Sequence, residues 1–219
     1  MATTPTRERF RAQVRDEVKA AALRQLAAAG PQGVSVNAIA KELGVSGPAL
    51  YRYFESRDAL LEQLVADAYR DLAAAVAGAV ARAARAPEDR FRAFARAYRR
   101  WAVAAPHRYR LLFAPPLPGL DAHSDPVVDA AQEVMAVLLP LLPALGRPAL
   151  PPHPRALDRQ LAAWTRRHAA DADEATALRA VLAWSRLHGL VSLELSGNFA
   201  SMGLDAEQLF EAELAALLA

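Results

Sequence analysis

Lys41–Leu64 reads KELGVSGPALYRYFESRDALLEQL, and the fold turns on how this stretch is parsed. Gly44-Val45-Ser46-Gly47 is a four-residue turn between two short apolar-patterned segments. Upstream, Ser35 can cap a helix over Val36–Leu43 that turns Ile39, Ala40 and Leu43 inward. Gly44 can take the positive φ that ends such a helix. Val45 is expected to be an apolar turn residue packed beneath both helices. Downstream, Gly47-Pro48 puts proline in the first turn of a third helix, which the pattern extends to Glu55. Leu50 and Phe54, four apart, share its inward face, and Tyr51, Arg52 and Tyr53 are left outside. Two short helices joined by a tight glycine-containing turn are the sequence form of a helix-turn-helix.

Outward from this stretch the chain reads as helix throughout. Residues 7–29 carry Phe10, Val14, Val18, Ala21, Ala22 and Leu26 on one stripe, and Gly30-Pro31 stops them. Ser56 caps a long helix expected to reach Ala86, before Pro87. Residues 88–104 bear an aromatic stripe, and Pro106–Phe113 form a short helix. Residues 126–145 are helical, kinked or ended at Pro140 and Pro143. Arg155–Ala170 follow, then a helix to Leu195 opened by Asp171 and Glu174 at capping-box spacing. Gly197-Asn198 end it, and residues 205–218 are the last helix. Residues 114–124 and 146–154 are proline-rich loops. No stretch alternates with period two long enough for a strand, so the fold class is all-α. The expected division is an N-terminal three-helix domain, 1–60, and a larger helical domain, 61–219.

Composition narrows the function. Residues 1–60 hold nine Lys/Arg against six Asp/Glu, a net +3, and the remainder is −1, which points the first part toward a polyanion. The chain has no cysteine, so disulfides and thiolate metal sites are excluded. The N-terminus lacks an apolar signal core. The apolar runs 72–81 and 134–145 are shorter than the ~20 residues of a membrane span. The expectation is a cytoplasmic protein.

The stretch Gly33–Leu64, through its residues GVSVNAIAKELGVSGPALYRYFESRDALL, resembles the DNA-binding domain of the TetR/AcrR family of bacterial transcription regulators. The likeness rests on the apolar positions Val34, Ile39, Ala40, Leu43, Val45, Leu50 and Phe54, the Gly-Val-Ser turn, the Tyr-x-x-Phe pair and the basic residue before Leu-Leu. The chain departs from the family pattern at Tyr53, where His is frequent, and Arg57, where Lys is frequent. What the resemblance implies is a set of DNA contacts. Asn37 would meet a base edge or a phosphate. Gly47, Pro48 and Ala49 would face the major-groove floor and its thymine methyls. Arg52 would take guanine bidentately or hold a phosphate. Tyr51 and Tyr53 would touch phosphates, Ser35 would both cap and donate to one, and Arg57 would lie beside the backbone at a helix start. Arg7, Arg9 and Arg11 form either an arm onto DNA or a solvated tail.

PHRYRLLF and AWSRLHGLVSLELSGNF resemble the regulatory half of the same family, in a subtype marked by a Trp/His-Gly-Leu signature. That resemblance implies ligand binding and dimerisation. Phe94, Tyr98, Trp101, Phe113, Met135, Leu139, Trp164, Trp184 and His188 are candidate walls for a small hydrophobic effector, or plain core. The helix before Leu195 is apolar nearly all round, so one side is free for a partner subunit. Leu182, Gly189 and Ser192 there, with Phe210, Leu214 and Leu217 of the last helix, are the expected homodimer interface. His168, Asp171, Asp173 and Glu174 read as helix ends rather than a metal site. Ser185 and His188 lack a nucleophile elbow, so no enzyme and no cofactor are expected. The sequence therefore points to a DNA-binding regulator, a repressor released from a palindromic operator by an apolar effector. The second reading is a DNA-binding adaptor or nucleoid-associated protein controlled by a protein partner.

Overall fold

The computed structural model describes residues 5–113, 121, 124–146, 151–168 and 172–219. Its α-helices are α1 (Pro5–Ala29), α2 (Val36–Glu42), α3 (Gly47–Leu50), α4 (Arg57–Arg82), α5 (Pro87–Ala104) and α6 (Pro106–Phe113). They continue with α7 (Asp125–Leu138), α8 (Arg155–His168), α9 (Glu174–Leu195), α10 (Asn198–Ser201) and α11 (Ala206–Leu218). No strand occurs among the described residues. The side chain of Arg7, the residue Asp171 and most of the 114–124 loop lie outside them.

Two compact units emerge. One is Met1–Ala68 with His107–Asp129, the other Tyr69–Pro106 with Ala130–Ala219. The division therefore falls past residue 60, because the first turns of α4 belong to the first unit. Leu60, Leu61, Leu64 and Val65 there are buried, as are Val18, Ala22 and Leu26 of α1 and Ile39 and Leu50 of α2 and α3. Burying a Leu or Ile side chain contributes on the order of 1.5–3 kcal/mol, so this core can hold the two very short helices α2 and α3. A polar link joins α1 to α4. Lys19 Nζ lies 3.0 Å from Asp67 Oδ2, and Gln63 Nε2 donates to Asp67 Oδ1 at 2.9 Å.

In the second unit α5 buries Phe91, Phe94, Ala95, Tyr98 and Ala102, the aromatic stripe read from the sequence. Its arginines fork onto two other helices. Arg99 donates to both oxygens of Glu194 on α9 at 2.8 Å, and Arg96 to both of Glu211 on α11 at 2.7 Å. Arg186 of α9 pairs with Glu213 of α11. Bidentate pairs fix orientation as well as distance, so they set how α5, α9 and α11 dock.

Several boundaries differ from the sequence reading, each for a local reason. The α9 cap is Asp173, whose carboxylate accepts from the Thr176 N–H at 2.7 Å, not a box of Asp171 with Glu174. α4 ends at Arg82, four residues early. α7 ends at Leu138, and Pro140 and Pro143 start 3₁₀ turns at Leu139–Leu141 and Pro143–Leu145. Counted back to Asp125, this segment is 21 residues and apolar enough to cross a bilayer by composition alone. It is nonetheless broken by those turns, and Val134, Leu138, Leu139, Leu141 and Leu142 are buried against the protein.

Candidate nucleic-acid interface and regulatory core

α2 and α3 are built by capping and one sharp turn. Ser35, extended at φ −127°, accepts from the Ala38 N–H through its Oγ at 3.3 Å, and its own N–H donates to Gln25 Oε1 at 2.9 Å. At the other end Gly44 has φ +67°. Its N–H donates to the Lys41 carbonyl at 3.3 Å, and the Val45 N–H donates to the Ala40 carbonyl at 2.9 Å. That pair of bonds is a Schellman motif, which needs a left-handed residue in the Gly44 position. Val45, expected beneath both helices, is instead 41% exposed. The motif fixes its backbone and leaves its side chain at the surface.

α3 is shorter than expected, one turn over Gly47–Leu50 rather than a helix to Glu55. The Leu50 carbonyl accepts from both Tyr53 (2.8 Å) and Phe54 (3.1 Å), the shared bond of a tightening helix end. Tyr51–Tyr53 therefore occupy a turn. Leu50 and Phe54 are buried, as the four-residue spacing implies. Tyr51 is 49% exposed, Arg52 is exposed and Tyr53 is half-buried. Arg52 forms no ion pair among the described residues, so its guanidinium is available to an anion. Ser35, Asn37 and Pro48 are exposed, and Ala49 is half-buried. Asn37 Oδ1 lies only 3.1 Å from where a Cβ on Gly47 would sit. The missing side chain at Gly47 lets the start of α2 and the start of α3 meet.

Two arginines brace the helix-turn-helix, and only Arg57 was legible as a residue of interest. Arg57 is half-buried, its Nε donating to the Val34 carbonyl at 2.9 Å and its Nη1 to Asp58 at 3.4 Å. It ties α4 to Val34, just ahead of the α2 cap. Arg15 of α1 has the larger effect on the turn. Its Nη1 donates to the Tyr53 carbonyl at 2.7 Å, and its guanidinium carbon stands 4.5 Å from the Phe54 ring centroid. The sequence reading missed Arg15, which lies thirty-eight residues from Tyr53.

The expected effector residues separate into groups. Tyr98 of α5 is fully buried, with its hydroxyl 3.2 Å from His188 Nδ1 and its ring 4.9 Å from that of Trp184. Trp184 and His188 stack at 6.3 Å. Burial pushes the His188 pKa below its ordinary 6.5, so the imidazole is neutral at pH 7. Phe94 and Leu139 are buried and Met135 is half-buried in the same unit. Trp101 is buried with its indole N–H donating to Asp71 at 2.8 Å. Trp164 packs with Leu161, Ala177 and Leu178 between α8 and α9. Phe113 belongs to the first unit, its ring 4.9 Å from that of Tyr109. Of the expected interface residues, Phe210 and Leu214 are 1% exposed. They are core of this chain and cannot offer side-chain surface to a partner. Leu217, Gly189 and Ser192 are half-buried and Leu182 is exposed.

Comparison with known proteins agrees with this geometry. Residues 19–64 match the model of the bacterial regulatory proteins of the tetR family, and residues 91–217 match the tetracyclin repressor-like C-terminal domain. The HTH-type transcriptional regulator Rv1816 of Mycobacterium tuberculosis is 33% identical over 216 residues, covering 95% of this chain and 92% of that protein. The crystal structure of the regulatory protein SCO4313 superposes with a TM-score of 0.83 at 43% identity, covering 98% of this chain and 99% of that one. A structure from Rhodococcus sp. RHA1, 24% identical with a TM-score of 0.71 over 93% of each chain, shares the fold. With a capped α2, a Schellman turn and an exposed Tyr-Arg turn in its first unit, the chain belongs to the TetR family and is a DNA-binding transcriptional regulator, not an enzyme.

Proposed function

We propose that the protein is a cytoplasmic homodimeric repressor that leaves a palindromic operator when a small hydrophobic molecule binds its second unit. The observation that carries the dimer is a stripe on α9. Val181, Leu182 and Leu193 are 40%, 37% and 42% exposed, and a Cβ on Gly189 would meet nothing within 4 Å. Residues 182, 185, 189 and 193 recur at three-to-four spacing, one face of a helix. Two copies of such a face, related by a twofold axis, would bury each other's leucines and set two helix-turn-helix units for successive major grooves, ~34–36 Å apart or somewhat wider.

DNA contact falls to Ser35, Asn37, Gly47, Pro48, Ala49, Tyr51, Arg52 and Tyr53, with Arg57 as a positioning group. The effector reading rests on Tyr98, Trp184 and His188, an apolar cluster whose hydroxyl and neutral imidazole are its polar tips. The order Trp184, His188, Gly189, Leu190 supports reading the second unit as the Trp/His-Gly-Leu subtype. The effector test is operator release. A lipophilic ligand that raises the melting midpoint should weaken operator binding at the same concentrations. Melting shifts without release, or no shift from any apolar compound, would favour the adaptor reading.

A further inference from the structure

Charge in the second part of the chain is concentrated in one place. Residues 82–100 hold seven arginines against Glu88 and Asp89, a net +5. Since residues 61–219 sum to −1, the rest of that stretch carries −6. A groove of about 370 Å³ is built mostly from this segment, rimmed by Arg82, Arg92, Arg96 and Arg100 and floored by Ala79, Ala83, Ala84 and Ala93. Arg92, Arg96 and Arg100 recur every four residues along α5, so they line one edge about 6 Å apart.

The four cations are not equally available. Arg96 is held by Glu211 through two 2.7 Å bonds, and Arg92 lies 3.8 Å from Asp89, the one carboxylate lining the groove. Arg82 and Arg100 are exposed and form no ion pair among the described residues. Arg82 is folded back over Gly78, its Nη1 3.2 Å from where a Cβ would stand, so the missing side chain makes room for the guanidinium. The groove thus presents two uncancelled arginines above a methyl-lined floor. A phosphate monoester carries about −1.5 to −2 at pH 7 and accepts paired N–H bonds from arginine forks. The volume exceeds that of a bare phosphate and lies at the small end of ligand sites, which leaves room for an organic body on the alanines.

We propose that the α4–α5 groove binds a small phosphate monoester, with Arg82 and Arg100 on the phosphate and the alanine floor under its organic part. This site is separate from the Tyr98–Trp184–His188 cluster and does not depend on the effector reading. The test is calorimetric titration of the full chain, at fixed ionic strength, with adenosine 5′-monophosphate, inorganic pyrophosphate and adenosine. The expected result is binding of the two phosphates below about 1 mM and none of adenosine. Arg82→Gln/Arg100→Gln should weaken the phosphates at least about tenfold with unchanged circular dichroism. Arg85→Gln, an exposed arginine outside the groove, should change them less than about twofold. The proposal fails if the phosphates do not bind, if adenosine binds equally, or if Arg85→Gln weakens binding as much as the double variant. Loss of non-sequence-specific DNA affinity in the double variant, without phosphate-ester binding, would assign the groove to DNA instead.

Discussion

Arg15→Met isolates the contact that holds the recognition turn. The substitution keeps an apolar stem and removes the guanidinium that donates to the Tyr53 carbonyl at 2.7 Å and stands 4.5 Å from the Phe54 ring. A hydrogen bond to a charged group is worth about 1.5–3 kcal/mol. A guanidinium–aromatic contact adds about 0.5–1 kcal/mol where partly exposed. Tyr53 is only half-buried, so water can replace part of the lost bond in the variant, and the net cost to the turn is about 1–2.5 kcal/mol. If DNA binds only the ordered turn, apparent affinity falls with the ordered fraction, at most about tenfold per 1.4 kcal/mol. Fluorescence anisotropy against a selected operator should show a five- to fiftyfold loss at a single salt concentration. The salt dependence then separates positioning from direct contact. A residue on a phosphate contributes about 0.9 to the slope of log K against log salt, and a positioning residue contributes nothing. Unchanged affinity, or a slope reduced by one phosphate, would refute the reasoning.

Further expectations follow from other parts of the molecule. Ser35→Ala removes the acceptor for Ala38 N–H and should cost about 0.5–2 kcal/mol in urea unfolding. Leu182→Glu with Leu193→Glu puts charge into the α9 stripe and should convert the proposed dimer to monomer in sedimentation velocity, and a dimer persisting in the variant would move the interface elsewhere. His107 and His188 both have folded-state pKa values pushed below 6.5, chiefly by burial, and for His107 also by Arg108 and Arg110. The unfolded chain therefore binds more protons as pH drops below about 6.5, and stability should fall there. His188→Gln should flatten that fall. His153, raised by the Pro151 carbonyl and Asp158, acts with the opposite sign above 6.5, losing its contribution as pH rises.

What the sequence disclosed follows from how locally each feature is determined. Gly44 and the Leu50/Phe54 pair are set within five residues by turn geometry and helical spacing, and both appear where expected. Val45 was misplaced because a Schellman motif fixes a backbone path and says nothing of what covers the side chain. α3 was overextended because Tyr51–Tyr53 continue a helical pattern, while the competing bonds to the Leu50 carbonyl end it. Arg15 escaped, as did the bond from Arg57 to Val34, because the acceptors are carbonyls and a backbone carbonyl leaves no mark in the sequence. α9 is apolar on all sides, so composition could not rank its faces. Only burial shows that Leu187 and Val191 point to the core while Leu182 and Leu193 do not. The same ambiguity grouped Trp164 with Trp184, though they sit in different clusters.

Operator binding by Arg52→Ala tests the assignment of the Tyr-Arg turn most directly. The exposed guanidinium, without an ion pair among the described residues, should supply about 1–3 kcal/mol if it reads guanine, a five- to 150-fold loss on the specific site with non-specific affinity kept. If it holds a phosphate, affinity should fall on all DNA and the salt slope by about 0.9. Specific affinity unchanged in Arg52→Ala, alone and with Tyr51→Ala, would contradict the account.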